Sequence, residues 1–229
     1  MNTFGLMFGL PENGGTCPGA TCGNGGCLDV KDGRKRPTCY MAKLVDTYKG
    51  VGPVLDKNTE MLKGKSVEEM KVVLRATVQE FSKKAGGFPY FRLHYSGDFF
   101  SVDYAQAWAE VMLEFPDITF WAYTRSFRTQ TTIVETLAKV PNLTLFLSAD
   151  PVNGEQALAL FEKLKDDHKN LGLAWLGDEP PDKEKYRWVT CPELSGKVKN
   201  TDESGACAKC RLCVNNYKVR VKNIHFPPN

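Results

Sequence analysis

Eight cysteines sit at the two ends of this chain, and none falls between Cys39 and Cys191. The C-terminal set is Cys207-Ala-Lys-Cys210-Arg-Leu-Cys213 with Cys191-Pro192 upstream. Three thiols at i, i+3 and i+6 plus one remote thiol beside proline is the ligand set of a [4Fe–4S] cluster. Four-cysteine zinc sites more commonly come as two C-x-x-C knuckles, so zinc is the alternative here. Lys209 and Arg211 stand between the ligands, where their charge offsets an anionic cluster. The N-terminal set is Cys17, Cys22 and Cys27 at five-residue spacing, then Cys39, with Gly14, Gly15, Gly19, Gly23, Gly25 and Gly26 around them. Glycine lets backbone N–H groups approach sulfurs or a phosphate closely. A second cluster, a zinc site, and ligands shared with the C-terminal set all stay open for these four.

A second set of polar residues follows strand-like runs. Asp98, Arg125, Ser148, Asp150, Asp178 and Cys191 each lie just past one. In parallel α/β sheets, chemistry gathers beyond the carboxyl ends of the strands. Ser96, Ser126 and Asp178 are explained as helix caps and turn residues. Arg125 is harder to explain so, because an arginine at a strand end needs an anion. Asp98 and Arg125 are therefore expected to meet across adjacent strand ends and to hold a small anionic ligand. His94 lies within its run and reads as a core histidine.

The elements that must position these groups repeat. Apolar runs at Tyr90–Tyr95, Ile118–Thr124, Leu143–Leu147 and Leu171–Leu176 start 25 to 28 residues apart, the size of one βα unit. A fifth run, Tyr186–Thr190, leads into Cys191. Between them, 104–115, 129–140 and 155–167 carry apolar residues at helical spacing, the first two ending at Pro116 and Pro141. Ser66-Val-Glu-Glu69 is a capping box that opens a helix through Ser82. Strands apolar on both faces alternating with amphipathic helices predict a parallel sheet with right-handed crossovers. The expected fold is α/β, a partial (β/α) barrel or open parallel sheet with a cysteine-rich, metal-binding C-terminal appendage. Residues 1–65 form a Cys/Gly-rich segment, 66–192 the repeated core and 193–229 the cluster-binding tail, together one compact domain. Phe4–Leu10 could add a strand. The stretch 50–64 reads as a loop-rich connector and Arg34-Lys35-Arg36 as a solvated loop.

Composition narrows the function classes. Thirty basic residues against 27 acidic give a net charge of +3 over 229 residues, too mild to argue for nucleic acid on charge alone. No signal peptide or membrane-spanning run is expected. In a reducing compartment, disulfides are disfavoured.

Thr16-Cys17-Pro18-Gly19-Ala20, Cys39-Tyr40-Met41-Ala42, His94-Tyr95-Ser96-Gly97-Asp98-Phe99, Tyr123-Thr124-Arg125-Ser126, and Cys191-Pro192 with Cys207, Cys210 and Cys213 occur in this order. Together they resemble the phage-encoded Gene product 88 family along nearly the whole chain. The resemblance implies a bacteriophage or prophage origin and a setting in the host cytoplasm. It implies little mechanism. A partial barrel with cysteines at its mouth also looks like the radical S-adenosylmethionine scaffold, though C-x-x-x-C-x-x-C is missing. The expected function is an iron–sulfur protein with one [4Fe–4S] cluster, a second site at the N-terminal cysteines, and a redox or electron-transfer role with a redox partner or small anionic ligand. Whether it is an enzyme is left open. The rival is a zinc-stabilised protein that contacts nucleic acid or a host factor without catalysis.

Overall fold

The computed structural model describes residues 8–11, 16–20, 28–31, 34–37, 40–84, 89–198, 207, 210–214 and 221–227. The chain enters through an antiparallel hairpin, β1 (Leu28–Lys31) and β2 (Arg34–Pro37). The basic run 34–36 is thus a strand and not a loop. Two helices follow, α1 (Tyr40–Thr47) and α2 (Val51–Glu60). The second replaces the expected connector. Pro53 falls in its first turn, where a missing N–H costs no helical bond.

The repeated core comes next. Helix α3 (Val67–Lys84) begins at the capping box, with the Ser66 N–H donating to Glu69 at 2.9 Å and the Glu69 N–H returning to the Ser66 hydroxyl at 3.3 Å. Then come β3 (Tyr90–Arg92), α4 (Val102–Glu114), β4 (Thr119–Thr124), a single 3₁₀ turn (Ser126–Arg128) and α5 (Thr131–Leu137). They lead to β5 (Leu143–Ala149), α6 (Gly154–Leu164), β6 (Leu171–Leu176), α7 (Lys183–Tyr186), β7 (Val189–Thr190) and β8 (Ile224–Phe226).

The six core strands form one curled, open parallel sheet, a half-barrel, in the order β3-β4-β5-β6-β8-β7. Phe8 adds a parallel bridge to Leu93 beyond β3. The order sets a strand of the tail inside the sheet. The fifth run does not pair with β6, because β8 from the tail lies between them. The tail from residue 221 is therefore part of the sheet and not only an appendage to it.

A repeated asparagine explains the insertion. Asn142 and Asn170 each immediately precede a strand, β5 and β6, and each is buried. The Asn142 side-chain NH₂ donates to the Met112, Phe115 and Ile118 carbonyls, between the last turn of α4 and the start of β4, and that of Asn170 to those of Ala138, Val140 and Leu143. Asn223 precedes β8 in the same way. Its carbonyl oxygen accepts the Leu173 N–H at 2.9 Å, and its NH₂ donates to the Tyr186 carbonyl at 2.7 Å.

Side chains alternate across the sheet. Phe91, Phe120, Ala122, Leu145, Leu147, Leu173 and Trp175 join the helices α3 to α6 in the main core on the outer face. On the inner, concave face, Tyr123, Phe146, Ala174, Ile224 and Phe226 pack with Val221, Leu212, Cys191 and Cys213. Each side of such a sheet needs a cover. The helices cover one, and the cysteine-bearing tail lies on the other.

Candidate functional site

Cys191 directly follows β7, so it stands at the carboxyl end of the sheet with the other strand-end residues. Its N–H donates to the His225 carbonyl at 2.8 Å, fixing it against β8. Cys207 and Cys210 lie on a helical turn, closed by the Arg211 N–H on the Cys207 carbonyl at 3.0 Å. Residues three apart share a face of such a turn. Arg211 then takes a left-handed conformation, φ 54°, which stops the helix and turns Cys213 back toward the sheet. The C-x-x-C-x-x-C spacing is thus a helical turn plus a reversal.

These thiols are within electrostatic reach of one another. Burial pushes the Cys213 thiol up to about 12, with Cys207, Cys191 and Cys210 adding to the shift and the Tyr123 hydroxyl opposing it. Cys207 is exposed, yet crowding at its sulfur raises it first, then Glu193, while Arg92 opposes and Cys191 and Cys210 add. Burial and then Cys213 push the Tyr123 phenol well above its ordinary value. Among the described residues, no three Cys, His, Asp or Glu side chains converge closely enough to hold a single metal ion. Cys17 is half-buried and unbridged. Cys22, Cys27 and Cys39 lie outside the described residues.

The polar strand ends form a second, connected group. Asp98 is buried, and its carboxylate accepts from the Phe99 N–H at 2.8 Å, the Thr124 hydroxyl at 2.7 Å and the Arg125 N–H at 2.7 Å. Burial raises its pKa, and these donors only partly offset the rise. The Arg125 guanidinium does not meet Asp98. It reaches the end of β5 instead, where Nη1 contacts Asp150 Oδ2 at 2.5 Å and Nε lies 3.3 Å from the Ser148 hydroxyl. Burial alone would raise Asp150, but the Arg125 charge and hydrogen bond hold it below the ordinary carboxylate range. So Asp98 and Arg125 do touch across adjacent strand ends, through the backbone and not as the side-chain pair expected.

The motif Thr16–Ala20 closes over this group. The Thr16 carbonyl accepts the Asp98 N–H at 2.7 Å, and Arg128 Nη1 donates to the Gly19 and Ala20 carbonyls at 3.1 and 2.8 Å. A Cβ on Gly19 would fall 1.8 Å from the Arg125 carbonyl oxygen, so only glycine fits there. The loop that carries Cys17 is thereby fastened to the ends of β3 and β4.

Two cap expectations are corrected. The cap of α4 is Ser101, which accepts the Tyr104 N–H at 3.1 Å, and Ser126 donates to the Phe99 carbonyl at 2.7 Å. The Ser96 hydroxyl is buried without a partner among the described residues. His94 is a core residue, at φ 57°, with Nε2 2.9 Å from the Tyr104 hydroxyl and its ring edge-on to Phe99 at 4.5 Å. Burial lowers its pKa to about 3. Asp178 makes no described contact that explains it.

Two further residues stand near the cysteines, Tyr123, which opens the quoted motif at residues 123–126, and Arg92, which no motif contains. Arg92 on β3 lies with its guanidinium carbon 5.7 Å from the centre of the Tyr123 ring, and its Nε is buried without a partner among the described residues. Arg92 occupies an ordinary strand position, so nothing but the fold could single it out.

No described helix is long and apolar enough to cross a membrane. No solved structure matches the chain, so the likeness to the radical S-adenosylmethionine scaffold has no support from comparison. The chain is 36% identical to the Gene 88 protein of Mycobacterium phage D29 over 221 residues, 92% of this chain and 83% of that protein. It is 36% identical to the Gene 88 protein of Mycobacterium phage L5 over 217 residues, 91% of this chain and 82% of that one. Residues 2–216 match the family described as Gene product 88, and every quoted motif lies inside that span. The chain belongs to this bacteriophage-encoded family.

Proposed function

We propose that the chain is an iron–sulfur protein whose Cys191, Cys207, Cys210 and Cys213 ligate one [4Fe–4S] cluster on the concave face of the half-barrel, with a redox or electron-transfer role in the host cytoplasm. The observation that carries this is that Cys191 and the cysteine run 207–213, from two distant segments, come to one face of the sheet, where Cys191 and Cys213 pack in the same side-chain cluster. The surroundings fit the group. A buried Arg92 Nε without a partner is a donor that an anionic sulfur shell would satisfy. A buried thiol that resists ionising alone loses its proton on binding a metal. Cys191 and Cys213 pack against the same inner-face side chains of the sheet. Bound there, the cluster supplies one-electron transfer.

In this reading Asp98 and Arg125 form an anion-binding corner at the mouth. Asp98 fixes the Arg125 backbone, and a small anionic ligand competes with Asp150 for the guanidinium. Cys17, Cys22, Cys27 and Cys39 make a second metal site, fastened to the same strand ends through the Thr16–Ala20 loop.

Anaerobic purification tests the reading. The expected result is a brown protein with broad absorption near ~400 nm, about four iron and four sulfide per cluster, and loss of one cluster's iron in Cys210→Ser. Zinc without sulfide would overturn it and mark a zinc-stabilised binding protein. Unchanged iron in Cys210→Ser would remove the C-terminal ligand set.

A further inference from the structure

We propose that Arg92 and Tyr123 are positioning residues that donate hydrogen bonds to the sulfur shell of the C-terminal site and raise the reduction potential of the cluster held there. The inference rests on the iron–sulfur reading above and names the two side chains that tune it.

Their placement follows from the sheet. Arg92 pairs in register with Trp121, so Tyr123 is two residues further along the neighbouring strand and on the same concave face. The Tyr123 ring is held on three sides. It stacks on Phe146 at 5.1 Å and 20°, meets the edge of Phe226 at 5.9 Å, and lies under the Arg92 guanidinium at 5.7 Å. That packing leaves the phenol little freedom and brings Tyr123 and Cys213 into one cluster of side chains. Arg92 acts on Cys207 through its charge and favours the thiolate. Its Nε–H is buried and lacks an acceptor among the described residues. Buried donors of this kind are rare unless a group is missing. An arginine keeps its charge under all conditions, so it offsets an anionic centre constantly.

Hydrogen bonds and positive charge at the sulfurs favour the reduced, more negative cluster, and so raise its potential. Glu193, two residues past Cys191, acts on Cys207 in the opposite sense. The three side chains therefore make signed predictions. Tyr123→Phe removes a donor and keeps the ring stack. Arg92→Gln removes the charge, and Arg92→Lys keeps the charge but not the Nε–H. Glu193→Gln removes the opposing charge.

The experiment is a redox titration of the anaerobically purified full chain, followed by electron paramagnetic resonance, with iron and sulfide measured in each variant. Tyr123→Phe and Arg92→Gln should retain the cluster and titrate at lower potential, Arg92→Lys should fall between Arg92→Gln and the unchanged protein, and Glu193→Gln should shift upward. Cluster-loaded variants with unchanged potentials would overturn the tuning role and leave the iron–sulfur reading standing. A parent protein without iron and sulfide would overturn both. Should Arg92→Gln fail to fold, Tyr123→Phe and Glu193→Gln still decide the matter, since neither disturbs the sheet.

Discussion

Arg125 serves two acids with two different parts of itself. Its backbone N–H belongs to Asp98, and its guanidinium to Asp150 and Ser148. Truncating the side chain therefore takes the cation from Asp150, whose Oδ1 still accepts the Val152 and Asn153 N–H groups, and spares Asp98. Both ends of the ion pair are largely buried, at 11% and 13% side-chain exposure. Breaking a buried pair by removing one partner costs about 3–5 kcal/mol. Arg125→Ala should approach the lower end of that range in chemical denaturation, and the double variant with Asp150→Ala should recover part of the loss. A loss that the second change deepens would mean the two do not act as a pair. Titration behaves differently at His94. Its folded pKa, about 3, lies below the ordinary 6.5, so the unfolded chain binds the extra proton first as pH falls. Stability from this residue is complete above 6.5 and is lost as pH drops from 6.5 toward 3. Asp98 acts with the opposite sign, because its raised pKa lets the folded chain take a proton more readily just above the usual carboxylate range. His94→Asn tolerates the left-handed backbone and removes the imidazole. It should be less stable than the parent at neutral pH, yet lose less between 6.5 and 3 in urea midpoints. Parallel curves for the two proteins would assign the acid sensitivity elsewhere.

At the scale of elements, Gly172 shows why a strand interior carries a glycine. A Cβ there would fall 2.8 Å from Val221 Cγ1 and 3.0 Å from Phe146 Cε1. The space is used by the segment that leads into β8, and Phe146 is also the floor beneath Tyr123. Overpacking of this sort costs about 1–3 kcal/mol. Gly172→Ala should lose that much stability and, under the iron–sulfur reading, retain less iron, whereas retention of full stability would show that Val221 yields freely. The strands β4, β5 and β6 were plain in the sequence because each is apolar on both faces, and α3 was plain because its capping box is local. Helix α2 was hidden by Gly52 and Pro53, which read as breakers anywhere but the first turn. Strand β2 was hidden by charge. Strand β8 has three residues, too few for periodicity, but a signal was present. Asn142-Leu143, Asn170-Leu171 and Asn223-Ile224 each mark the start of a strand. The C-x-x-C-x-x-C run was visible in the sequence, but its form as a helical turn and a left-handed reversal was not. Asp150 was legible as a strand end but not as the partner of Arg125, because length along the chain does not say how far a guanidinium reaches. Arg92 was not legible, and Tyr123 was legible only as the start of its strand-end motif, since what the tail lays near them cannot be read from either strand.

The molecule as a whole depends on a long closure. Strand β8 arrives more than thirty residues after β7 and inserts between β7 and β6, so the last part of the chain joins two elements that would otherwise not touch. Asn223 fastens both sides. Its side-chain oxygen holds the Leu173 N–H of β6, its NH₂ holds the Tyr186 carbonyl at the end of α7, and its backbone carbonyl accepts the Val189 N–H at 2.9 Å. Cys191 lies two residues beyond Val189 and is tied to β8 as well. The position of the remote thiol is therefore set by the tail that carries the other three. Asn223→Ala leaves one buried N–H and one buried carbonyl without partners, each worth about 1–3 kcal/mol, while the backbone bond to Val189 survives. The expected outcome is a lower melting temperature and, under the iron–sulfur reading, a larger loss of iron than Gly172→Ala produces, because Cys191 and the tail cysteines would shift relative to one another. A variant that melts lower but keeps all its iron would show that Cys191 is placed by its own strand. Unchanged melting would mean that water replaces the asparagine and that the closure is held by the strand ladder alone.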